Sequence, residues 1–305
     1  MFGKQLVAEM IGRSAENDED RRKFLKGAGL AGLGVVGAGA ASALGVSSAS
    51  GSEASDAAVL NFALNLEYLE AEFYSHAVYG RGLPDPLTTG KGDRGGVVGG
   101  REVTFESRTI RSIAREIAQD EINHVKFLRT ALGSAKVSRP KIDLRNSFTA
   151  AARAAGLVGP NQEFDPFANE NNFLLGAFIF EDVGVTAYKG AAPLITNKTY
   201  LGAAAGILAV EAYHAGIIRS NLDDKGLEMA ARRISWARDS LDGKRDLDQG
   251  IGTKKRVNLV PTDKNSIAFG RTPGQVLNVV YLTPKKANKG GFFPKGVNGA
   301  VRQSS

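Results

Sequence analysis

The sequence has no cysteine among its 305 residues. That excludes disulfides, thiolate metal sites, a cysteine nucleophile and a lipid-modified N-terminal cysteine. Any metal held by this chain must be bound by histidine and carboxylate. Histidine is also scarce, with three in the chain, so two of them falling in one repeated motif carries weight. The chain shows no glycine-rich phosphate loop and no Ser/His/Asp order suited to nucleophilic catalysis. What it does have is 43% hydrophobic and 23% charged residues, the composition of an ordinary soluble globular protein. Its length allows one large domain or two modest ones, each with a real core.

The net charge of +7 is uneven: residues 1–50 carry +1, residues 51–243 carry −3 and residues 244–305 carry +9. A basic tail can meet nucleic acid or an anionic surface. A solvated extension explains the same charge without a partner, and no nucleic-acid partner is expected.

Residues 1–20 are polar and charged. Asp20-Arg21-Arg22-Lys23-Phe24-Leu25-Lys26 follows, and then a Gly/Ala-rich run from Gly27 to Gly45 without any charge. A charged n-region, an uncharged h-region and small residues around Ala41-Ser42-Ala43 or Ser47-Ser48-Ala49 are the parts of an export signal. The paired arginines resemble the twin-arginine address of bacteria. So weakly hydrophobic a run gains little from entering lipid, which argues against a permanent anchor. Residues 1–49 are therefore expected to be a cleaved signal read by the twin-arginine machinery. The mature chain would be periplasmic or extracellular in a bacterium, with no stable membrane anchor.

Apolar residues at spacings of three and four predict helices over about 56–79, 106–132, 168–191, 199–221 and 224–241, with a short one around 147–155. Residues 80–100 hold eight glycines and read as a loop, and prolines and glycines fill the long connection 134–166. The expected fold is all-α: a four-helix bundle over 50–243 with one long crossover, an extra C-terminal helix, and an irregular Gly/Pro/Lys-rich extension over 244–305 packing on the bundle or trailing from it. One long crossover is the ferritin-like topology.

The second and fourth long helices carry Glu121-Ile122-Asn123-His124 and Glu211-Ala212-Tyr213-His214. Glu and His three residues apart share a helix face and can reach one metal. A single such motif is a weak sign. Here Arg129 and Arg219 extend the match, each five residues after its histidine. The first and third helices repeat in their own way: Glu67 lies seven residues after Leu60 and seven before Tyr74, as Glu181 does between Leu174 and Tyr188. Both glutamates sit on apolar faces, where an unpaired charge is costly to bury. One Glu from each of two helices and a Glu-x-x-His from each of the other two make up a di-metal carboxylate site. Oxygen-rich ligation with one imidazole per ion suits two divalent ions of iron or manganese.

Residues near this set can be read in two ways. Glu70 is an additional ligand or a boundary charge. Asp120 and Asp182 orient histidines or face solvent. Tyr74, Tyr188 and Tyr213 bond to carboxylates or fill the core. His76 lies outside the repeat and is read as a non-ligand.

Three segments carry a wider resemblance: LNFALNLEYLEAEFY at 60–74, GRTPGQVL at 270–277 and GGFFPKGVNG at 290–299. With the two Glu-x-x-His stretches they make residues 55–300 similar to the ferritin-like family that includes plant desiccation-related proteins and their bacterial and fungal relatives. The resemblance implies a ferritin-like fold and a link to desiccation or stress. It supplies no settled reaction. The expected function is an exported di-metal carboxylate protein acting in oxidative or desiccation stress by metal-dependent redox chemistry, whether ferroxidase-like or peroxide-removing. The alternative is a non-catalytic protective or binding protein with a structural metal. Its expected partners are metal ions, the export machinery and, through the bundle, further copies of itself.

Overall fold

Each long helix begins where a short polar side chain closes its first turn. In the computed structural model of the chain, which describes residues 55–253 and 255–305, Ser55 caps α1 (Asp56–Tyr79) and Ser107 caps α2 (Arg108–Leu132). After the short α3 (Asn146–Ala154), Asn169 caps α4 (Glu170–Ala191) and Asn197 caps α5 (Lys198–Asp224). The signal read at residues 1–49 lies outside the described residues. The long helices follow the predicted ones closely because their caps and breakers, Gly80, Gly133 and Pro193, stand at the ends of clear apolar patterns.

Helix α1 packs along α2 and α4 along α5; α1 also meets α4, and α2 meets α5. The result is a four-helix bundle. Helices α1 and α4 are buried on nearly every face, as expected of helices that are apolar all round. Phe73 on α1 packs against Phe148, Phe167, Phe173 and Phe180. Helix α5 is long and apolar enough to cross a membrane, yet it packs in the bundle and buries Glu211, His214 and Arg219. The crossover from α2 to α4 is tied down by β2 (Ile142–Asp143), which pairs in parallel with β1 (Val97–Val98) from the glycine-rich loop.

The extension beyond 243 is not a solvated tail. After α6 (Glu228–Asp239) the chain makes a small antiparallel ribbon, β3 (Gly252–Thr253) with β4 (Arg256–Val257). It then forms a further helix, α7 (Pro273–Tyr281), started by a Thr272–Gln275 capping box. Phe292 packs on Phe148 and Phe180, with ring centroids 5.0 and 4.9 Å away. Asn298 exchanges two backbone hydrogen bonds with the Asn65 side chain of α1, at 2.8 and 2.9 Å.

Much of what holds this extension is ionic and buried. Arg271 donates to Asp242 at 2.6 Å, to Asp248 at 2.8 Å and to Thr186 of α4 at 3.0 Å. Arg238 joins Asp248 at 2.7 Å to Asp182 at 2.8 Å, and Arg219 closes on Asp182 at 2.7 Å. Three arginines, of which Arg271 alone comes from the extension, thus meet three aspartates in one buried network.

Gly190 of α4 lies against this joint. A β-carbon there would stand 1.8 Å from the carbonyl oxygen of Arg271, a backbone atom with little freedom to move. Gly190→Ala is therefore expected to destabilise the protein by about 1–3 kcal/mol, the usual cost of overpacking. A thermal melt should show a fall of several degrees; an unchanged or higher Tm would contradict the close packing of the extension on α4.

Candidate metal centre

The seven-residue spacing that places Glu67 and Tyr74 on one stripe of α1 places Glu181 and Tyr188 on one stripe of α4. The two stripes meet reciprocally. The Tyr74 hydroxyl donates to Glu181, and the Tyr188 hydroxyl donates to Glu67. This exchange reveals an approximate two-fold axis relating α1 and α2 to α4 and α5. The arginines obey it: Arg129 donates to Tyr68 at 2.6 Å and Arg219 to Asp182 at 2.7 Å, and Tyr68 and Asp182 each follow a helix glutamate by one residue.

The six residues of the repeat converge at the centre of the bundle. Glu67, Glu121, His124 and Glu211 bring ligand atoms within 4.8 Å of one another, and so do Glu121, Glu181, Glu211 and His214. Glu121 and Glu211 belong to both groups. His124 Nδ1 lies 3.2 Å from Glu67, 3.5 Å from Glu121 and 3.6 Å from Glu211. His214 Nδ1 lies 3.1 Å from Glu121 and 3.5 Å from Glu181. The imidazole centroids are 6.4 Å apart. All six side chains belong to buried residues, and His124 is the most accessible at 8%.

Six buried donor atoms here have no aligned hydrogen-bond partner: both oxygens of Glu121, both of Glu211, Oε2 of Glu181 and Nδ1 of His214. Buried polar atoms are almost always satisfied, so a concentration of unsatisfied oxygens and nitrogen in two overlapping groups fits a pair of cations.

The electrostatics agree. Burial drives the Glu67 carboxyl up to about 7, with His124 pulling down and Glu121 pushing up. Burial and then the charges of neighbouring carboxylates hold Glu70 and Glu211 well above the usual range, and burial raises Glu181. Burial would raise Glu121 too, but the imidazoles of His124 and His214 beside it prevail and hold it low. Burial opposes a charge on His124, yet Glu67 and Glu121 raise it to about 12. His214 is likewise raised against its burial, by Glu181, Asp120 and Glu121. Without metal, protons occupy the positions that suit cations.

This has a testable consequence. Folded Glu67 and His124 keep protons that the unfolded chain releases near 4.5 and 6.5. The stability due to Glu67 is full below pH 4.5 and is lost as pH rises through about 7. That due to His124 is full below 6.5 and is lost as pH rises through about 12. The metal-free protein should melt at a lower temperature near pH 9 than near pH 6. Equal or greater stability at the higher pH would contradict these proton positions.

The surrounding residues divide. Asp120 Oδ2 sits 3.2 Å from His214 Nε2, where it orients the ring. Asp182 takes Arg219 and Arg238 instead of a histidine. Tyr213 is 73% exposed and turns away from the cluster, contrary to the sequence reading. One residue along a helix rotates a side chain by about 100°, which carries Tyr213 outward although it adjoins His214. Tyr74 and Tyr188 combine both anticipated roles, core packing and a hydrogen bond to a carboxylate. Glu70 is buried beside the cluster, and its carboxylate and that of Glu211 lie over the bare backbone of Gly184. His76 lies apart, with Nδ1 2.8 Å from the carbonyl of Glu72. Sequence reasoning missed the Arg129–Tyr68 pair and the Gly184 gap. The only signal for the latter was a glycine one turn after Glu181.

A family model described as a ferritin-like domain matches residues 55–224. The chain belongs to the ferritin-like domain family. Within it, the sequence is 33% identical over 263 residues to "Desiccation-related protein PCC13-62" of Craterostigma plantagineum, covering 80% of this chain and 83% of that protein. It is 28% identical over 270 residues to "Ferritin-like catalase Nec2" of Nesocodon mauritianus, covering 81% of this chain and 84% of that one. No solved structure matches significantly.

Proposed function

We propose that this chain is an exported di-metal carboxylate protein that removes peroxide under oxidative or desiccation stress. The observation that carries this reading is the pair of overlapping donor groups with their unsatisfied buried atoms. Glu67 and His124 would hold one ion, Glu181 and His214 the other, with Glu121 and Glu211 shared between them. Four carboxylates balance two divalent cations, and the oxygen-rich set favours iron or manganese. When bound, such ions supply the electron transfer that oxygen species require.

The remaining work falls to the protein. Tyr74 and Tyr188 each occupy one oxygen of a terminal glutamate and fix its orientation. Asp120 holds His214 so that Nδ1 faces the cluster. The apolar walls of α1 and α4 keep bulk water out. No ligand-set residue is more than 8% exposed, so a substrate as small as hydrogen peroxide suits the centre and a bulky one does not. The similarity to a protein named as a catalase points the same way. The Arg21-Arg22 signal would export the chain folded, by a receptor-read route.

The test is oxygen release. Two molecules of hydrogen peroxide give one of dioxygen and two of water, so an oxygen electrode reads the reaction directly. Chain loaded with manganese or iron should evolve oxygen, and chain carrying Glu121→Ala, given the same metal treatment, should not. Loaded wild type that binds metal without evolving oxygen would favour the non-catalytic alternative, in which the ions only brace the bundle.

A further inference from the structure

The two-fold that organises the centre is broken at two places, and both breaks favour the same half. The first is at the position three residues after each helix glutamate. On α1 this is Glu70, a buried carboxylate; on α4 it is Gly184. A β-carbon at Gly184 would meet Glu211 Oε2 at 2.4 Å and Glu70 Oε1 at 3.4 Å. The glycine thus makes room for two carboxylates from the other helices. Glu70 is one turn beyond Glu67 and one turn short of Tyr74, which bonds Glu181. Glu70 Oε1 reaches across to α4, at the gap left by Gly184 one turn after Glu181, and so lies on the Glu181 side of the centre. The second break is at the position before each Glu-x-x-His. On α2 this is Asp120, which lies 3.2 Å from His214 Nε2. The matching position before Glu211 on α5 is Val210, which cannot orient His124 in return.

We propose that the two metal positions are inequivalent: the Glu181–His214 half, with Glu70 as an added carboxylate and Asp120 behind its imidazole, binds its divalent cation first and more tightly, while the Glu67–His124 half holds the exchangeable ion. This rests on the di-metal reading above. An added carboxylate raises cation affinity through charge. A carboxylate behind a ligand histidine fixes the ring and raises its basicity, and losing such support typically costs about 10–100-fold in metal affinity. His214 is also the less accessible imidazole, 3% exposed against 8% for His124, so the weaker position is the more open one.

The test is calorimetric titration of the metal-free full chain with Mn(II), with Mn(II) electron paramagnetic resonance to follow site occupancy. Wild type should show two steps about 10–100-fold apart in affinity. Glu70→Gln, which keeps the shape of the side chain, and Asp120→Asn, at a partly exposed residue, should each weaken the first step and narrow the gap, leaving the second step unchanged. His124→Ala should keep the tight step, and His214→Ala should lose it. Two steps of matched affinity in wild type would overturn the inequivalence and leave the di-metal reading standing, as would variants that weaken both steps alike. A wild type that takes up no Mn(II) would overturn both.

Discussion

Glu211→Gln is expected to fold as well as wild type and yet to lose metal, with affinity reduced by at least about 100-fold. The reason lies in the metal-free state. Burial and four neighbouring carboxylates hold the Glu211 carboxyl well above its usual range and so favour its neutral form, which an amide of the same shape mimics at little cost to the apo-protein. The ion, however, loses a shared anionic ligand that belongs to both donor groups. Glu121→Ala should behave differently. Glu121 is the carboxylate that stays ionised against His124 and His214. Removing it should abolish metal binding and also leave two buried imidazolium charges short of their partner, a loss of about 3–5 kcal/mol in the apo-protein. Exposed Glu116, on the outside of the same helix, is the control, and Glu116→Ala should change neither property. Metal titration and apo-protein melting together separate the three. Equal behaviour of Glu211→Gln and Glu116→Ala in the titration would show that the shared carboxylate is not a ligand.

Arg271→Ala is expected to be the most damaging change outside the centre. Arg271 is 1% exposed, and its guanidinium is bonded to Asp242, Asp248 and Thr186. Deleting one partner of a buried ionic network strands the others, at about 3–5 kcal/mol. Arg271 is also the residue through which the extension docks on α4, since its backbone N–H donates to the carbonyl of Thr186 at 2.9 Å. The variant should melt far lower, and limited proteolysis should cut the extension ahead of α7 before the bundle is attacked. A Tm within a degree or so of wild type would mean that the extension is held mainly by Phe292 and Asn298.

The bundle and its buried cluster of glutamates and histidines were legible in the sequence because both are local and periodic. A Glu-x-x-His repeated with an arginine five residues on, and a glutamate centred seven residues from Leu and Tyr, are patterns within single helices. Packing those helices face to face brings the patterns together with no further information. The extension was not legible, because its order depends on partners far away in sequence. Asp248 meets Arg271, Asn298 meets Asn65 and Phe292 meets Phe148; counted locally, the same residues look like a basic, glycine-rich tail. The same limit explains why the residues beside the cluster could be read in two ways. Asp120, Asp182 and Tyr213 each adjoin a helix position of the ligand set, and only packing decides where each points: Asp120 toward α5, Asp182 toward the arginines, Tyr213 into solvent.

The proposed function requires that this bundle core hold metal at the glutamate–histidine centre. Elemental analysis of the purified chain, reconstituted with manganese or iron and then dialysed, tests it most directly. About two ions per chain are expected, falling to none in Glu121→Ala. Less than about half an ion per wild-type chain, against the two that such a ligand set is built to hold, would contradict it, as would Glu121→Ala retaining metal as wild type does.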